Sequence, residues 1–162
     1  MTKSDYNKET DPQKFPSFNL MAAHTDKEIS ISEKELKAQK FLVYTYPKDL
    51  TSGCTKETNE FSSNLDFFTA NGIAIYGLSK DSIKSHLKFI DKEKIPFPLI
   101  SDPDCTLIKA LGCWVKKSMY GKEYMGISRS TFLVNQSLQV NKIWRNVKVK
   151  DHVSNVMAEI ST

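Results

Sequence analysis

The sequence predicts an α/β domain of three layers, with a central mixed β-sheet flanked by helices. Two patterns carry this expectation. Apolar runs rich in β-branched and aromatic residues alternate with segments whose apolar residues recur at helical spacing. Two late strands are separated by only a short turn, which makes part of the sheet antiparallel. The length, 162 residues, suits one domain and leaves little room for a second.

Residues 1–16 are polar, carry Pro12 and Pro16 and show no periodicity. They are expected to form a flexible N-terminal extension, with residues 17–162 as the domain. Lys40-Phe-Leu-Val-Tyr-Thr-Tyr46 predicts a buried strand stopped by Pro47. The loop Pro47–Gly53 leads into a helix beginning near Cys54, on which Phe61, Leu65 and Phe68 share a face. Asn71-Gly72 ends it, and Ile73–Leu78 predicts a second strand. Asp81 is placed to cap the next helix, whose apolar face is Ile83, Leu87 and Ile90. Pro96–Ile100 is a short extended segment, and Ser101-Asp102-Pro103 opens a further helix with proline in its first turn. Ser130–Val134 and Val140–Trp144 predict two strands joined by a turn at Asn135–Leu138. Val153, Val156, Met157 and Ile160 mark a last helix. This order is a thioredoxin-like arrangement, and pattern alone also allows other three-layer sandwiches.

Composition narrows the function classes. The hydrophobic share is 40% and the charged share 26%, ordinary for a globular domain. No apolar run approaches the ~18 residues of a membrane span, and the polar N-terminus has no signal-like apolar core. A cytoplasmic protein with no membrane partner is expected. The net charge is +4, from 23 basic and 19 acidic residues that are interspersed. The densest basic stretch, Arg145–Lys150, reads as a strand or turn with a solvated face, and no docking motif for nucleic acid accompanies it. Trp114 and Trp144 are expected in the core rather than as ligand platforms.

Cys54, Cys105 and Cys113 are the cysteines. An odd number without a secretory signal argues against a disulfide framework. Each is then either buried and inert or reactive. Cys54 follows a buried strand and a loop, in the first turn of a helix. Unpaired backbone N–H groups and the positive end of the helix dipole favour an anion there, and the thiolate is the nucleophilic form. Gly53 allows close backbone approach, and Thr51 adds a hydroxyl to the loop. From these residues alone, an activated and a structural Cys54 both remain open.

Tyr46-Pro47, then Thr51, Cys54 and Glu57, with a distant Arg129 in Gly126-Ile-Ser-Arg129-Ser-Thr-Phe-Leu-Val134, resembles the active-site pattern of peroxiredoxins. Phe97–Pro103 and Lys117-Ser-Met-Tyr-Gly-Lys122 are similar to the bacterioferritin comigratory protein branch, also called peroxiredoxin Q. The resemblance covers residues 12 to 160. It implies a thioredoxin-like fold and a peroxidase for hydrogen peroxide and organic hydroperoxides, with no cofactor and no metal. Cys54 would become a sulfenic acid. Arg129 would hold the thiolate and the peroxide oxygens, Thr51 would position the substrate, Pro47 would shield the pocket, and Glu57 would orient Arg129. Thioredoxin or a similar thiol is the implied reductant, and a monomer the implied state.

Two positions depart from the pattern. Ser52 stands where this branch often has proline. Asn59 stands where many members carry a resolving cysteine, five residues after the first. A one-cysteine mechanism with an external thiol is therefore expected, beside an atypical disulfide through Cys105 or Cys113 or one between molecules. Cys105 lies at a helix start, a position that would lower its pKa, and Cys113 sits in an apolar setting that predicts burial. The rival functions are a peroxide-sensing partner protein on the same fold, or a structural role. No Cys-x-x-Cys redox pair includes Cys54, because residue 57 is Glu, and His24, His86 and His152 lack metal-ligand spacing.

Overall fold

The structure, a computed structural model, describes residues 11–161. Residues 1–10 of the expected extension lie outside the described residues. Residues 11–16 are not loose: Phe15 is buried, its N–H donates to the Leu138 carbonyl, and Lys14 bridges to Gln139. A buried aromatic ring ties this segment to the core whatever its polarity elsewhere.

Two strands then form a hairpin absent from the sequence reading, β1 (Asn19–His24) and β2 (Lys27–Ser32). A short helix, α1 (Glu33–Leu36), follows; Ser32 and Glu35 close a capping box over its start. The central strand β3 (Lys40–Thr45) is buried from Phe41 onward. The helix expected at Cys54 is two helices, α2 (Ser52–Ser63) and α3 (Leu65–Ala70), broken at Asn64. The Asn64 side-chain amide donates back to the Glu60 carbonyl, the kind of local bond that competes with helix continuation. Phe61 and Phe68 are nevertheless both buried in one cluster.

Next come β4 (Ile73–Ser79) and α4 (Ile83–Glu93). Ser82 caps α4, not Asp81: its hydroxyl accepts the Ser85 N–H at 3.1 Å. After β5 (Leu99–Ser101), the helix expected from Ser101 starts later, as α5 (Thr106–Ala110). Ser101 is held in the sheet, and the buried Asp102 carboxylate instead caps α5 by accepting the Thr106 and Ile108 N–H groups. A second unanticipated hairpin, β6 (Trp114–Met119) with β7 (Lys122–Ile127), stands apart as its own two-stranded sheet. The last elements match expectation: β8 (Ser130–Val134), β9 (Val140–Trp144) and α6 (His152–Ile160).

The main sheet has seven strands in the order β2-β1-β5-β4-β3-β8-β9. It is mixed: β3 pairs parallel with β4 and antiparallel with β8. One core cluster holds Phe41, Val43, Leu107, Ile108 and Phe132; the other holds Leu42, Tyr44, Tyr46, Phe61 and Phe89. Neighbouring β3 residues belong to opposite clusters, as strand alternation requires. On the second face Tyr44 stacks between Tyr46 and Phe61, at centroid distances of 5.6 and 4.8 Å. Its buried hydroxyl is 2.8 Å from the Thr58 hydroxyl, which fastens α2 to the sheet. This packing requires glycine opposite Tyr44. A Cβ on Gly77 would lie 2.6 Å from Leu99 Cδ2 and 3.0 Å from the Tyr44 oxygen. No described helix is long and apolar enough to cross a membrane.

Candidate active site

The C-terminal end of β3 delivers Tyr46 and Pro47 to the loop that precedes α2. A buried polar network pins this loop from below. The Asp49 carboxylate accepts from the Tyr46 hydroxyl at 2.6 Å and the Ser85 hydroxyl at 2.9 Å, and meets His86 Nδ1 at 2.6 Å. The opposite ring nitrogen, Nε2, lies 3.1 Å from the Ile100 carbonyl, an acceptor only, so it carries a proton. The Asp49 N–H donates to Asp81, which also accepts the Ser79 hydroxyl. Asp49, Asp81 and His86 bring ligand-type atoms within 4.8 Å of one another. The three histidines do not converge, but this one does meet two carboxylates. These atoms are engaged by protein donors, a hydrogen-bond network rather than an open set of metal ligands.

Leu50 takes a left-handed φ of +64° as the chain turns toward α2. Thr51 occupies the N-cap position in extended conformation without capping, and its hydroxyl donates to the Lys48 carbonyl at 2.8 Å. The N-cap side chain thus leaves the first-turn N–H groups of α2 unanswered, and Cys54 is the third residue of that helix. Cys54 is 1% exposed. Gly53 faces Arg129, and a Cβ there would be at ordinary contact, 3.5 Å from Nη2.

Arg129 comes from the other side, just before β8. Its Nη2 donates to Cys54 Sγ at 3.3 Å and its Nη1 donates to Glu57 Oε1 at 2.7 Å. One guanidinium thus spans positions 54 and 57 of α2. Glu57 is fully buried, and among the described residues its Oε2 has no hydrogen-bond partner. Burial raises its pKa to about 7 against the opposing pull of Arg129. Burial also works against the charge of Arg129, but Glu57 and Cys54 outweigh it and leave that pKa raised. The pair therefore favours the arginine's charge while the acid remains poorly solvated, as expected for a buried salt bridge. His152, 2.7 Å from the Thr131 hydroxyl, has its pKa lowered to about 4, first by burial and then by the charge of Arg129.

A cleft of about 250 Å³ opens beside this pair, lined by Pro47, Arg129, Val115, Lys117, Tyr124 and Val147 among others. Pro47 and Arg129 are expected here; Thr51, Cys54 and Glu57 do not line this cleft, and the hairpin residues and Val147 carry no sequence signal that places them in it. The Arg145–Lys150 stretch is also not a plain solvated face. The Arg145 side chain is 9% exposed, pairs with Asp11 at 2.9 Å, lies 3.4 Å from Cys113 Sγ and covers the Phe132 ring. A larger surface hollow of about 860 Å³, between residues 11–14 and β9, is lined by no cysteine.

All three cysteines are free and buried. Cys113 is in the core as expected, and burial raises its pKa. Cys105 does precede a helix, but its pKa is raised rather than lowered, because burial and the nearby Asp102 outweigh Lys80 and Lys109. Asn59, at the position five after Cys54, turns toward Glu93 of α4 at 3.5 Å. Trp114 and Trp144 are partly buried against the two clusters, each with a lysine over its ring.

A thioredoxin-like domain with a cysteine and an arginine joined at the first turn of a helix defines a class, and comparison with known proteins agrees. The AhpC/TSA family matches residues 12–143. A putative peroxiredoxin Bcp of Coxiella burnetii is 40% identical over 148 residues, 91% of this chain and 96% of that one. Peroxiredoxin Bcp of Bacillus subtilis is 39% identical over 145 residues, 90% of each. Peroxiredoxin Q of Xanthomonas campestris superposes with a TM-score of 0.82 at 38% identity, covering 89% of both chains. The chain belongs to the AhpC/TSA family, as a peroxiredoxin of the bacterioferritin comigratory protein, or peroxiredoxin Q, branch.

Proposed function

We propose that this protein is a one-cysteine thiol peroxidase that reduces hydrogen peroxide and organic hydroperoxides at Cys54. The observation that carries the reading is the double grip of Arg129 on Cys54 Sγ and Glu57. Arg145 also reaches a sulfur, that of Cys113 at 3.4 Å, but Cys113 lies in the core with its pKa raised by burial, whereas Cys54 sits in the first turn of α2 and its arginine lines a cleft. A crystallographic study of the Xanthomonas campestris bacterioferritin comigratory protein concerns its alkyl peroxide reduction activity, which agrees with this substrate class.

The Cys54 thiolate attacks the terminal peroxide oxygen. The O–O bond breaks, alcohol or water leaves, and Cys54 becomes a sulfenic acid. Arg129 directs its charge and hydrogen bonds at the sulfur and at the oxygens that gain negative charge. Glu57 holds the guanidinium in register. Pro47 walls the cleft without an N–H of its own, and Thr51 turns from Lys48 to the substrate when one enters. An external thiol, thioredoxin or a similar dithiol, then condenses with the sulfenic acid, releasing water, and a second thiol returns Cys54. Asn59 in place of a resolving cysteine supports this route, as do the raised pKa values of the buried Cys105 and Cys113.

The test is thiol-dependent consumption of hydrogen peroxide and cumene hydroperoxide by wild type and by Cys54→Ser. Turnover by wild type that vanishes in Cys54→Ser is expected. Equal turnover by both proteins would remove Cys54 from the mechanism.

A further inference from the structure

Lys117 lines the cleft that Pro47 and Arg129 also line, and Cys54 lies behind Arg129 rather than in the cleft wall. Its neighbour Lys116 pairs with Glu123 at 2.8 Å across the β6–β7 hairpin, as an exposed lysine ordinarily does. Strand alternation puts Lys117 on the opposite face of β6, with Val115, and both line the cleft beside Arg129 and Pro47. Across the hairpin Lys117 faces Tyr124, and a Cβ on Gly126 would lie 3.2 Å from Lys117 Cδ and 3.5 Å from Cε. The bare glycine thus leaves a channel in which the lysine stem runs toward the base of the hairpin, where Ser128 and Arg129 begin. The side chain is half-buried, and among the described residues no carboxylate pairs with it. Burial and the charge of Arg129 hold its pKa below the ordinary lysine range, and Cys54 opposes them.

We propose that the Lys117 ammonium is the general acid that protonates the leaving oxygen of the hydroperoxide. This rests on Cys54 being the attacking thiolate. Arg129 already faces the sulfur and has no readily lost proton, so it stabilises charge but cannot relieve a departing alkoxide. In the step, a sulfur electron pair forms the S–O bond to the terminal oxygen. The O–O pair passes to the inner oxygen, which takes a proton from Lys117 and leaves as alcohol, or as water from hydrogen peroxide. The terminal oxygen keeps its hydrogen in the sulfenic acid. Sulfur is oxidised and the peroxide reduced by the same electron pair, and the neutral Lys117 amine regains a proton from water.

A general acid matters in proportion to the basicity of its leaving group. The experiment measures the rate of Cys54 oxidation by tert-butyl hydroperoxide, which expels an alkoxide, and by peroxyacetic acid, which expels a carboxylate needing no proton. Wild type, Lys117→Gln and Lys117→Arg are compared, with Cys54→Ser as control. Lys117→Gln should lose about a hundredfold with the alkyl hydroperoxide. With the peroxyacid it should stay within about threefold of wild type. Lys117→Arg keeps the charge but is a poor acid, and should lose rate with the alkyl hydroperoxide as well. Equal losses on both peroxides, no loss on either, or wild-type rates in Lys117→Arg would each overturn the assignment. Oxidation that persists in Cys54→Ser would instead overturn the underlying reading of Cys54.

Discussion

Glu57 gives one carboxylate oxygen to Arg129 at 2.7 Å and keeps the other buried without a partner among the described residues. The bond holds the arginine in place, while the cost of burial falls on the acid. Because burial raises the folded-state pKa of Glu57 from 4.5 to about 7, the folded protein favours its protonated form. Its contribution to stability is full below pH 4.5 and is lost as pH rises through 7. The loss is on the order of 3 kcal/mol at 1.36 kcal/mol per unit. Urea unfolding from pH 4 to 8 should show a more acid-favouring slope in wild type than in Glu57→Gln. Parallel curves would mean that Glu57 is not strained.

His152 works in the opposite sense. Its folded-state pKa is lowered from 6.5 to about 4, so it must stay neutral in the folded protein. Its contribution is present above pH 6.5 and lost as pH falls through 4. Where the two windows overlap, the slopes oppose each other and wild-type stability should vary little with pH. His152→Gln removes one slope and should grow more stable relative to wild type as pH falls toward 4. An unchanged difference between the two proteins across that range would contradict the burial assigned to the ring.

The Asp49–His86 contact anchors the loop from β3 to α2, with both side chains almost wholly buried. Asp49→Ala strands the His86 ring and the hydroxyls of Tyr46 and Ser85. Each buried donor left without its acceptor costs about 1–3 kcal/mol. Thermal or urea unfolding should register that loss. A destabilisation no larger than a surface substitution would show that the network does not hold the loop.

Arg129→Ala removes the guanidinium that donates to Cys54 Sγ. Peroxide reduction should slow by about a hundredfold or more, as when one preorganised charge-stabilising donor is deleted. Stopped-flow oxidation rates measure this directly. A rate near wild type would remove Arg129 from the chemistry.

The strands that fill the core were legible because their chemistry is uniform. Phe41–Thr45, Ile73–Leu78 and Ser130–Val134 are adjacent interior strands of the sheet and carry buried apolar residues. The hairpin β1–β2 escaped notice because its inward positions include Ala22 and Ala23, too small to make a hydrophobic pattern. The hairpin β6–β7 escaped because most of it is exposed, including Met119, Tyr120, Tyr124 and Met125. At the candidate site, Cys54 stood out by its place at a helix start, while Glu57 and Arg129 were singled out only through a family resemblance; no local signal pairs residues 72 positions apart in the chain. The start of α5 was misread because Pro103 satisfied a helix rule, while the cap comes from Asp102 acting across several residues. The titration of Cys105 was misread because burial is a tertiary property that a helix-start argument does not see.

The central claim, that Cys54 alone carries the oxidation, is tested by intact mass after one equivalent of hydrogen peroxide, with and without a sulfenic-acid trap. The account predicts a rapid trapped adduct on Cys54, unchanged in Cys105→Ser and Cys113→Ser and absent in Cys54→Ser. Loss of two hydrogens through a disulfide to Cys105 or Cys113, or no rapid change at Cys54, would contradict it.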